Sequence, residues 1–304
     1  MEPLNRPATD ALTQVLKVPT KELSFTFAPK DFGVHDYFSF LHALQRNSNL
    51  LPAKLSVSVS ICNHANLYKL VQDVCKTNVL THLTIDFKLN PDSAMLLTLS
   101  YLIQHATSLV ELDFLAHGLP LRGVVMADAA LETFRRSLVE NTTLATLHIG
   151  HLGECPSIAR KTLIPAMLVN KTLRKLQVFF NEPEMEQFLK VLPKMEGLQR
   201  LETYWLCNQT SEWFAALENN ETLHEVWFLN EDAMTLEERT KVRTLTWRNY
   251  LLTQSRRYAQ TEKEPEKIVE ILARLGKGNQ DESLSSVYHI VRNLLVMDIA
   301  SGRA

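Results

Sequence analysis

The sequence predicts an α/β fold: a solenoid of about eight strand–helix units, with a curved parallel sheet inside and helices outside. Three observations lead to it. A short pattern, N-x-T-L followed by x-x-L-x-(apolar), recurs along the chain. The segments between the copies have the apolar spacing of helices. Within each copy the apolar positions alternate with polar ones, as in a strand with one buried face.

The repeat is clearest at Asn141, Asn170 and Asn220, which begin "NTTL", "NKTL" and "NETL". Looser copies fall in the same frame, and the middle apolar positions of successive copies are 25 to 35 residues apart. The predicted strand positions are Leu23 and Phe25; Leu55 and Val57; Leu83 and Ile85; Leu112 and Phe114; Leu147 and Ile149; Leu176 and Val178; Leu201 and Thr203; Val226 and Phe228. A fixed period of this length is the signature of a repeat architecture.

Each strand is followed by a helical pattern, for example "DYFSFLHALQRN", "NLYKLVQDVCKTN", "SAMLLTLSYLIQHA" and "ALETFRRSLVEN". A single strand–helix unit cannot bury its own apolar face. Consecutive units are therefore expected to stack, which places the strands side by side in one parallel sheet.

These motifs resemble the leucine-rich repeats of the ribonuclease-inhibitor-like class, which have a helix in every unit and N-x-T-L-x-x-L-x-L at the return from helix to strand. The resemblance covers Leu23 to Tyr258. One departure is that the asparagine which the family carries at the ninth position occurs here only at Asn181. The segment "KVRTLTWRNYLL", residues 241–252, resembles the helix that closes such arrays.

The chain is accordingly divided into an N-terminal cap (1–19), the repeat solenoid (20–258) and a C-terminal helical tail (259–304). The cap rests on the helical spacing of "ATDALTQVL". The tail begins with a polar linker, "AQTEKEPEK", and continues with two amphipathic segments. Some fifty residues make little core alone, so the tail is expected to dock on the array or on a partner.

Composition excludes several classes of protein. The 32 basic and 34 acidic residues leave a net charge of −2, which gives no global field for nucleic acid. The longest apolar run, Ala94 to Ile103, is half of what a membrane helix needs. The N-terminus lacks a signal-peptide pattern and the four cysteines are scattered, so a cytoplasmic protein with reduced thiols is predicted.

The asparagine of "NKTL" is also a nominal acceptor for N-linked sugar. Because secretion is not predicted, Asn170 is instead expected to bond backbone groups at the turn from helix to strand, together with Asn141 and Asn220. The further sequon at Asn208 falls outside the repeat frame.

Catalytic motifs are not found. "LGKGNQD" (275–281) lacks the spacing of a phosphate-binding loop and suits a helix end. Cys62 and His64 have no second pair to complete a zinc site. No enzyme activity, cofactor or metal is predicted.

The predicted binding surface lies on the concave side of the last three strands. It consists of three aromatic residues flanked by charge, the composition of an interface hot spot. Its members are Phe179, Tyr204 and Trp227 with Lys175, Arg200, Glu202 and Glu225. The alternative is that the C-terminal tail folds back over these aromatic residues and makes them ordinary core.

The favoured function is non-catalytic recognition of a protein through the concave C-terminal half of the array. One alternative is GTPase activation, known for some arrays of this class, for which Arg200 and Arg248 are the candidate residues. Another is an adaptor for ubiquitin ligases, although no F-box-like segment precedes the repeats. The setting is either a bacterial effector acting in a host cytoplasm or a cytosolic adaptor of a eukaryote.

Overall fold

The structure, a computed structural model, describes residues 14–17, 20–27, 34–116 and 125–261. The chain divides into two compact units, Met1–Glu184 and Met185–Ala304. In each unit the strands are parallel and pair in chain order, with helices between them. The predicted α/β fold of leucine-rich-repeat type is therefore confirmed. Most of the predicted cap and the tail from residue 262 lie outside the described residues, and the three-part division stays a prediction.

In its described residues the first unit contains six strands that pair successively in parallel. They are β1 (Glu22–Phe27), β2 (Lys54–Ile61), β3 (His82–Phe87), β4 (Glu111–Ala116), β5 (Thr146–Gly150) and β6 (Lys175–Val178). The helices between them are α1 (Val34–Arg46), α2 (His64–Thr77), α3 (Ser93–His105), α4 (Asp128–Glu140) and α5 (156–169). Helix α5 contains one π-helical turn, Ala159–Leu163.

The boundary between the two units falls within helix α6 (Glu182–Val191). The second unit then contains the parallel pair β7 (Arg200–Thr203) and β8 (Glu225–Phe228), with α7 (Thr210–Asn219) between them. Helix α8 (Leu236–Thr261) follows and includes the predicted closing segment, which is thus confirmed as helical. This helix continues past Tyr258, where the array was expected to end.

Helix boundaries follow from local side-chain bonds. The Asn63 side chain accepts from Asn66 N–H at 2.7 Å and begins α2, and the Asp92 side chain accepts from Met95 N–H at 2.8 Å and begins α3. Both bonds satisfy a backbone donor that the first turn of a helix leaves unpaired. Helix α2 ends at Asn78, whose left-handed φ of 49° is the conformation that stops a helix.

Strand residues alternate between core and a half-exposed polar face, which we call the open face of each unit. In β2 the alternation is complete from Lys54 to Ile61. The leucine-frame residues of β3 to β6 are all buried. The last strand departs from the pattern because Val226 and Phe228 are only half-buried. The two-residue period of the sequence therefore places the open faces correctly.

The N-x-T-L asparagines bond the backbone as predicted. Asn141, Asn170 and Asn220 each accept, through Oδ1, the N–H groups two and three residues later at 2.6–3.0 Å. Each also donates from Nδ2 to a carbonyl of the preceding repeat: Ile103 (2.7 Å), Leu138 (2.6 Å) and Leu192 (2.7 Å). We call these three residues the asparagine ladder. Each of these asparagines links the start of its strand to the end of the helical segment in the preceding repeat.

Arg248 and Asn249 of α8 continue this ladder. Asn170 Nδ2 contacts the carbonyls of Leu138 and Asn141, and Arg248 Nη2 donates to the equivalent pair in the last repeat, Leu217 (2.8 Å) and Asn220 (3.0 Å). Asn249 is fully buried and donates to the Leu223 carbonyl at 3.0 Å. The "RN" pair of the closing helix thus provides the donors that a further repeat would supply.

Phe179 was expected on the exposed face and is instead buried, with 6% of its surface accessible. The pairing of β5 with β6 shifts register between His148 and Gly150, and β6 ends at Val178. The Phe179 ring then lies edge-on to His151 at 5.1 Å, and its N–H donates to the Gly150 carbonyl at 3.0 Å. The prediction failed because the alternation of faces ends where the strand ends.

A tight backbone approach accompanies this register shift. A Cβ on Gly153 would lie 2.4 Å from Val178 Cγ2 and 2.5 Å from the Phe179 carbonyl oxygen. Glycine is therefore required at this turn, because only a residue without a side chain leaves room for the end of β6.

Candidate partner-binding surface

The candidate surface lies on the open face of the second unit. The parallel register of β7 and β8 places Arg200 opposite Glu225 and Glu202 opposite Trp227. Four of the predicted residues are therefore neighbours on two paired strands. Tyr204 follows directly after β7 and is half-exposed.

Glu225 organises the centre of this surface. Its carboxylate accepts from Trp227 Nε1 at 2.6 Å through one oxygen and pairs with Arg200 Nε at 2.5 Å through the other. The indole nonetheless remains 63% exposed. A large aromatic side chain is thus presented to solvent in a fixed orientation. Fixing it before binding reduces the conformational entropy that a partner must remove.

A pocket of about 200 Å³ adjoins Trp227 where β8 meets α8. Four apolar side chains line it, Val226 and Phe228 of the last strand together with Met234 and Val242. Charged side chains also line it, with Arg243 Nη2 3.2 Å from Glu231 Oε1. The complete lining is Val226, Trp227, Phe228, Glu231, Met234, Arg239, Val242 and Arg243. Neither the pocket nor the contribution of α8 to its lining was predicted from the sequence.

The apolar area extends beyond the indole. Leu229, which follows β8, is half-exposed, and its N–H donates to the Thr203 carbonyl at 3.0 Å. Leu229 was not among the predicted binding residues. The signal that could have identified it is its apolar side chain two residues after Trp227, the spacing that returns to the same face of a strand.

The seven predicted residues are divided between the units. Arg200, Glu202, Tyr204, Glu225 and Trp227 lie in the second, whereas Lys175 and Phe179 lie in the first. Lys175 is half-exposed on β6, and Phe179 is withdrawn into the core. The candidate surface is therefore limited to the five residues of the second unit, the pocket and Leu229.

The two arginines considered for GTPase activation have partners within the protein. Arg200 is paired with Glu225, and Arg248 donates to the closing carbonyls of the ladder. Burial lowers the pKa of the Arg248 guanidinium, and the carboxylates of Glu218 and Glu221 oppose that change. Arg248 thus has a structural role.

Among the four cysteines, Cys75 does not have the character of a catalytic nucleophile. All four are free of disulfides, with Cys62 and Cys207 exposed and Cys155 buried. Burial raises the pKa of the Cys75 thiol to about 12, which keeps it protonated and unreactive at neutral pH. His64 pairs with Asp92 at 3.6 Å rather than with Cys62.

Comparison with known proteins assigns no family. No protein-family model and no curated protein matches the chain. Among solved structures, a tropomodulin C-terminal domain from Caenorhabditis elegans is 19% identical, with 50% of this chain and 91% of that chain covered and a TM-score of 0.38. The actin-binding site 2 of leiomodin-1 is 12% identical, with 77% and 98% covered and a TM-score of 0.28. At these values neither similarity identifies a partner for this chain.

The described helices do not have membrane-spanning character. Within 14–17, 20–27, 34–116 and 125–261, no helix combines the length and the apolar composition required to cross a bilayer.

Proposed function

We propose that this protein is a non-catalytic recognition scaffold that binds a protein partner through the open face of its second unit. The observation that supports it most directly is Trp227, which is 63% exposed although Glu225 fixes its orientation. Exposed aromatic side chains beside a pocket and ringed by charge are the usual anchors of protein interfaces.

The composition of the surface favours a protein partner over a small molecule. The pocket is small and open to one side, and the apolar groups around it, Trp227 and Leu229, are themselves exposed. Small ligands prefer larger, more enclosed cavities. The charges of Arg200 and Glu202 surround the aromatic anchor as a polar rim does in an interface.

Replacing Trp227 with alanine is expected to weaken partner binding by at least about 2 kcal/mol, roughly 30-fold in Kd. The indole is the largest exposed apolar group of the surface. The measurement is partner recovery by the immobilised full chain, followed by titration calorimetry with the recovered protein. The single variant Tyr204→Ala, measured in the same way, tests the edge of the surface.

Tyr68→Ala is the matched control, because Tyr68 is a half-exposed aromatic residue on helix α2. This variant should bind as the unsubstituted protein does. Equal affinity for the Trp227→Ala and Tyr68→Ala variants would reject this surface. A circular dichroism spectrum of each variant verifies that the fold is retained.

We further propose that the array is of the ribonuclease-inhibitor-like class and acts as a bacterial effector in a host cytoplasm. The support is the degenerate, helix-rich repeat together with the predicted helical tail. A fusion to an enzyme that is active only in host cytoplasm should give signal from the source bacterium and none from a secretion-deficient strain. Equal signal from both strains, or none from either, contradicts delivery.

A further inference from the structure

The open face of the first unit carries two histidines and two carboxylates on three neighbouring strands. His82 of β3 lies opposite Glu111 of β4, and Asp113 of β4 lies opposite His148 of β5. One ligand atom from each of Glu111, Asp113 and His148 falls within 4.8 Å of the others. Adjacent parallel strands are about 4.8 Å apart, so this register places His82 beside Glu111 and His148 beside Asp113.

The ion-pair partners of these carboxylates in the described part of the chain are imidazole rings. Glu111 Oε2 is 3.4 Å from His82 Nε2, and an oxygen of Asp113 pairs with His148 Nδ1. The other Asp113 oxygen accepts from the Thr84 hydroxyl at 3.2 Å. The lysines of the nearby strands pair with other acids, Lys54 with Glu22 at 2.6 Å and Lys88 with Asp86 at 2.5 Å.

The histidine of β5 has unsatisfied bonding capacity. Only 12% of the His148 side chain is exposed, and its Nε2 is buried without a hydrogen-bond partner among the described residues. Buried polar atoms normally have a partner in the protein, in water or in a bound ion. Nδ1 of the same ring faces Asp113, so Nδ1 is the nitrogen through which His148 would share an ion with Asp113 and Glu111.

The orientation of His82 beside Glu111 is fixed by Thr81. Its Nδ1 is 2.8 Å from Thr81 Oγ1, and that hydroxyl is itself fixed by the Leu55 backbone at 2.8 and 3.1 Å. When Nδ1–H donates to Thr81, Nε2 is left with a lone pair directed to the side of Glu111.

We propose that Glu111, Asp113 and His148, whose ligand atoms lie within 4.8 Å of one another, form a binding site for a divalent transition-metal ion of the zinc class, with His82 beside Glu111 at its edge. Two carboxylates balance the charge of such an ion, and an imidazole ligand favours it over Ca²⁺ and Mg²⁺, which take oxygen ligands. The site belongs to the first unit and goes beyond the proposed partner surface, which lies in the second.

The test is titration of the full, tag-free chain with Zn²⁺ by calorimetry. The unsubstituted protein is expected to bind one ion at this site, and Asp113→Asn to lower the affinity at least about tenfold. His148→Gln should do the same. The matched control is His105→Gln, because His105 lies on helix α3 in ring contact with Tyr101, apart from the site. It should bind Zn²⁺ normally.

Two further measurements keep the outcome decisive. Zn²⁺ should raise the Tm of the unsubstituted protein, which requires no variant to fold. Co²⁺ should give a visible absorption spectrum that Asp113→Asn changes. Absence of Zn²⁺ binding by the unsubstituted protein overturns the site, as does equal affinity in folded Asp113→Asn and His148→Gln variants. Displacement of Zn²⁺ by an equal concentration of Ca²⁺ or Mg²⁺ overturns the assigned class of ion.

Discussion

Replacing Trp213 with alanine is expected to lower the free energy of unfolding of the second unit by about 4 kcal/mol. Trp213 is fully buried in helix α7, stacked on Trp205 at 6.1 Å and edge-on to Phe228 at 5.1 Å. Truncation removes the largest group of this aromatic cluster and leaves a cavity that its neighbours cannot fill. Urea unfolding followed by far-ultraviolet circular dichroism measures the change.

Trp213→Phe separates packing from hydrogen bonding at the same position. The Trp213 Nε1 is buried and has no partner in the described part of the chain, so phenylalanine retains a ring while removing an unsatisfied donor. Its cost should stay below about 1.5 kcal/mol. If the alanine variant proved as stable as the phenylalanine variant, the cluster would not be the core of this unit.

The cluster also connects stability with the proposed function. Phe228, which packs on both tryptophans, directly follows Trp227 in β8 and lines the pocket. Successive strand side chains point to opposite faces, so the buried aromatic residues fix the strand that presents the exposed one. A substitution that loosens the cluster of Trp205, Trp213 and Phe228 is therefore expected to weaken partner binding even though Trp227 is unchanged.

Replacing Asn170 with alanine is expected to cost about 3 kcal/mol in the free energy of unfolding of the first unit. The variant loses two accepted bonds, from Thr172 and Leu173 N–H at 2.8 and 2.7 Å, and the bond donated to the Leu138 carbonyl. The carbonyl and the strand-entry amides are then left without partners in a buried turn. Urea unfolding by circular dichroism again provides the measurement.

The control is Asn208→Ala, which removes an asparagine from an equally good sequon outside the repeat frame. Asn208 is exposed in the short helical turn Cys207–Gln209. Its replacement should change stability by less than about 0.5 kcal/mol. Similar losses at Asn170 and Asn208 would show that the repeat frame does not determine the role of these residues.

Local chemistry explains what could be predicted from the sequence. The strands follow from a two-residue alternation that is itself local, and the asparagine ladder follows from side chains bonding amides two and three residues away. The repeat frame is therefore sufficient to locate Leu83, Leu112 and Leu147 on neighbouring strands. It also places Trp227 beside its charged neighbours on the last two strands.

The features that were predicted wrongly or not at all depend on contacts between residues that are distant in sequence. Phe179 is buried because β6 ends against the turn that contains Gly150 and Gly153, more than 25 residues earlier. The pocket beside Trp227 requires α8, whose contact with β8 no local pattern reveals. The cluster of His82, Glu111, Asp113 and His148 was visible as separate polar positions, but only the register between strands brings its atoms together.

Arg248 has a consequence for how large the array can become. Each ladder asparagine donates to a carbonyl of the previous repeat, and Asn170 contacts two; the two equivalent carbonyls of the last described repeat, Leu217 and Asn220, are already bound by the Arg248 guanidinium. A second copy that stacked end to end would first have to displace that guanidinium. The closing helix is therefore expected to block the addition of a further repeat at this end of the array.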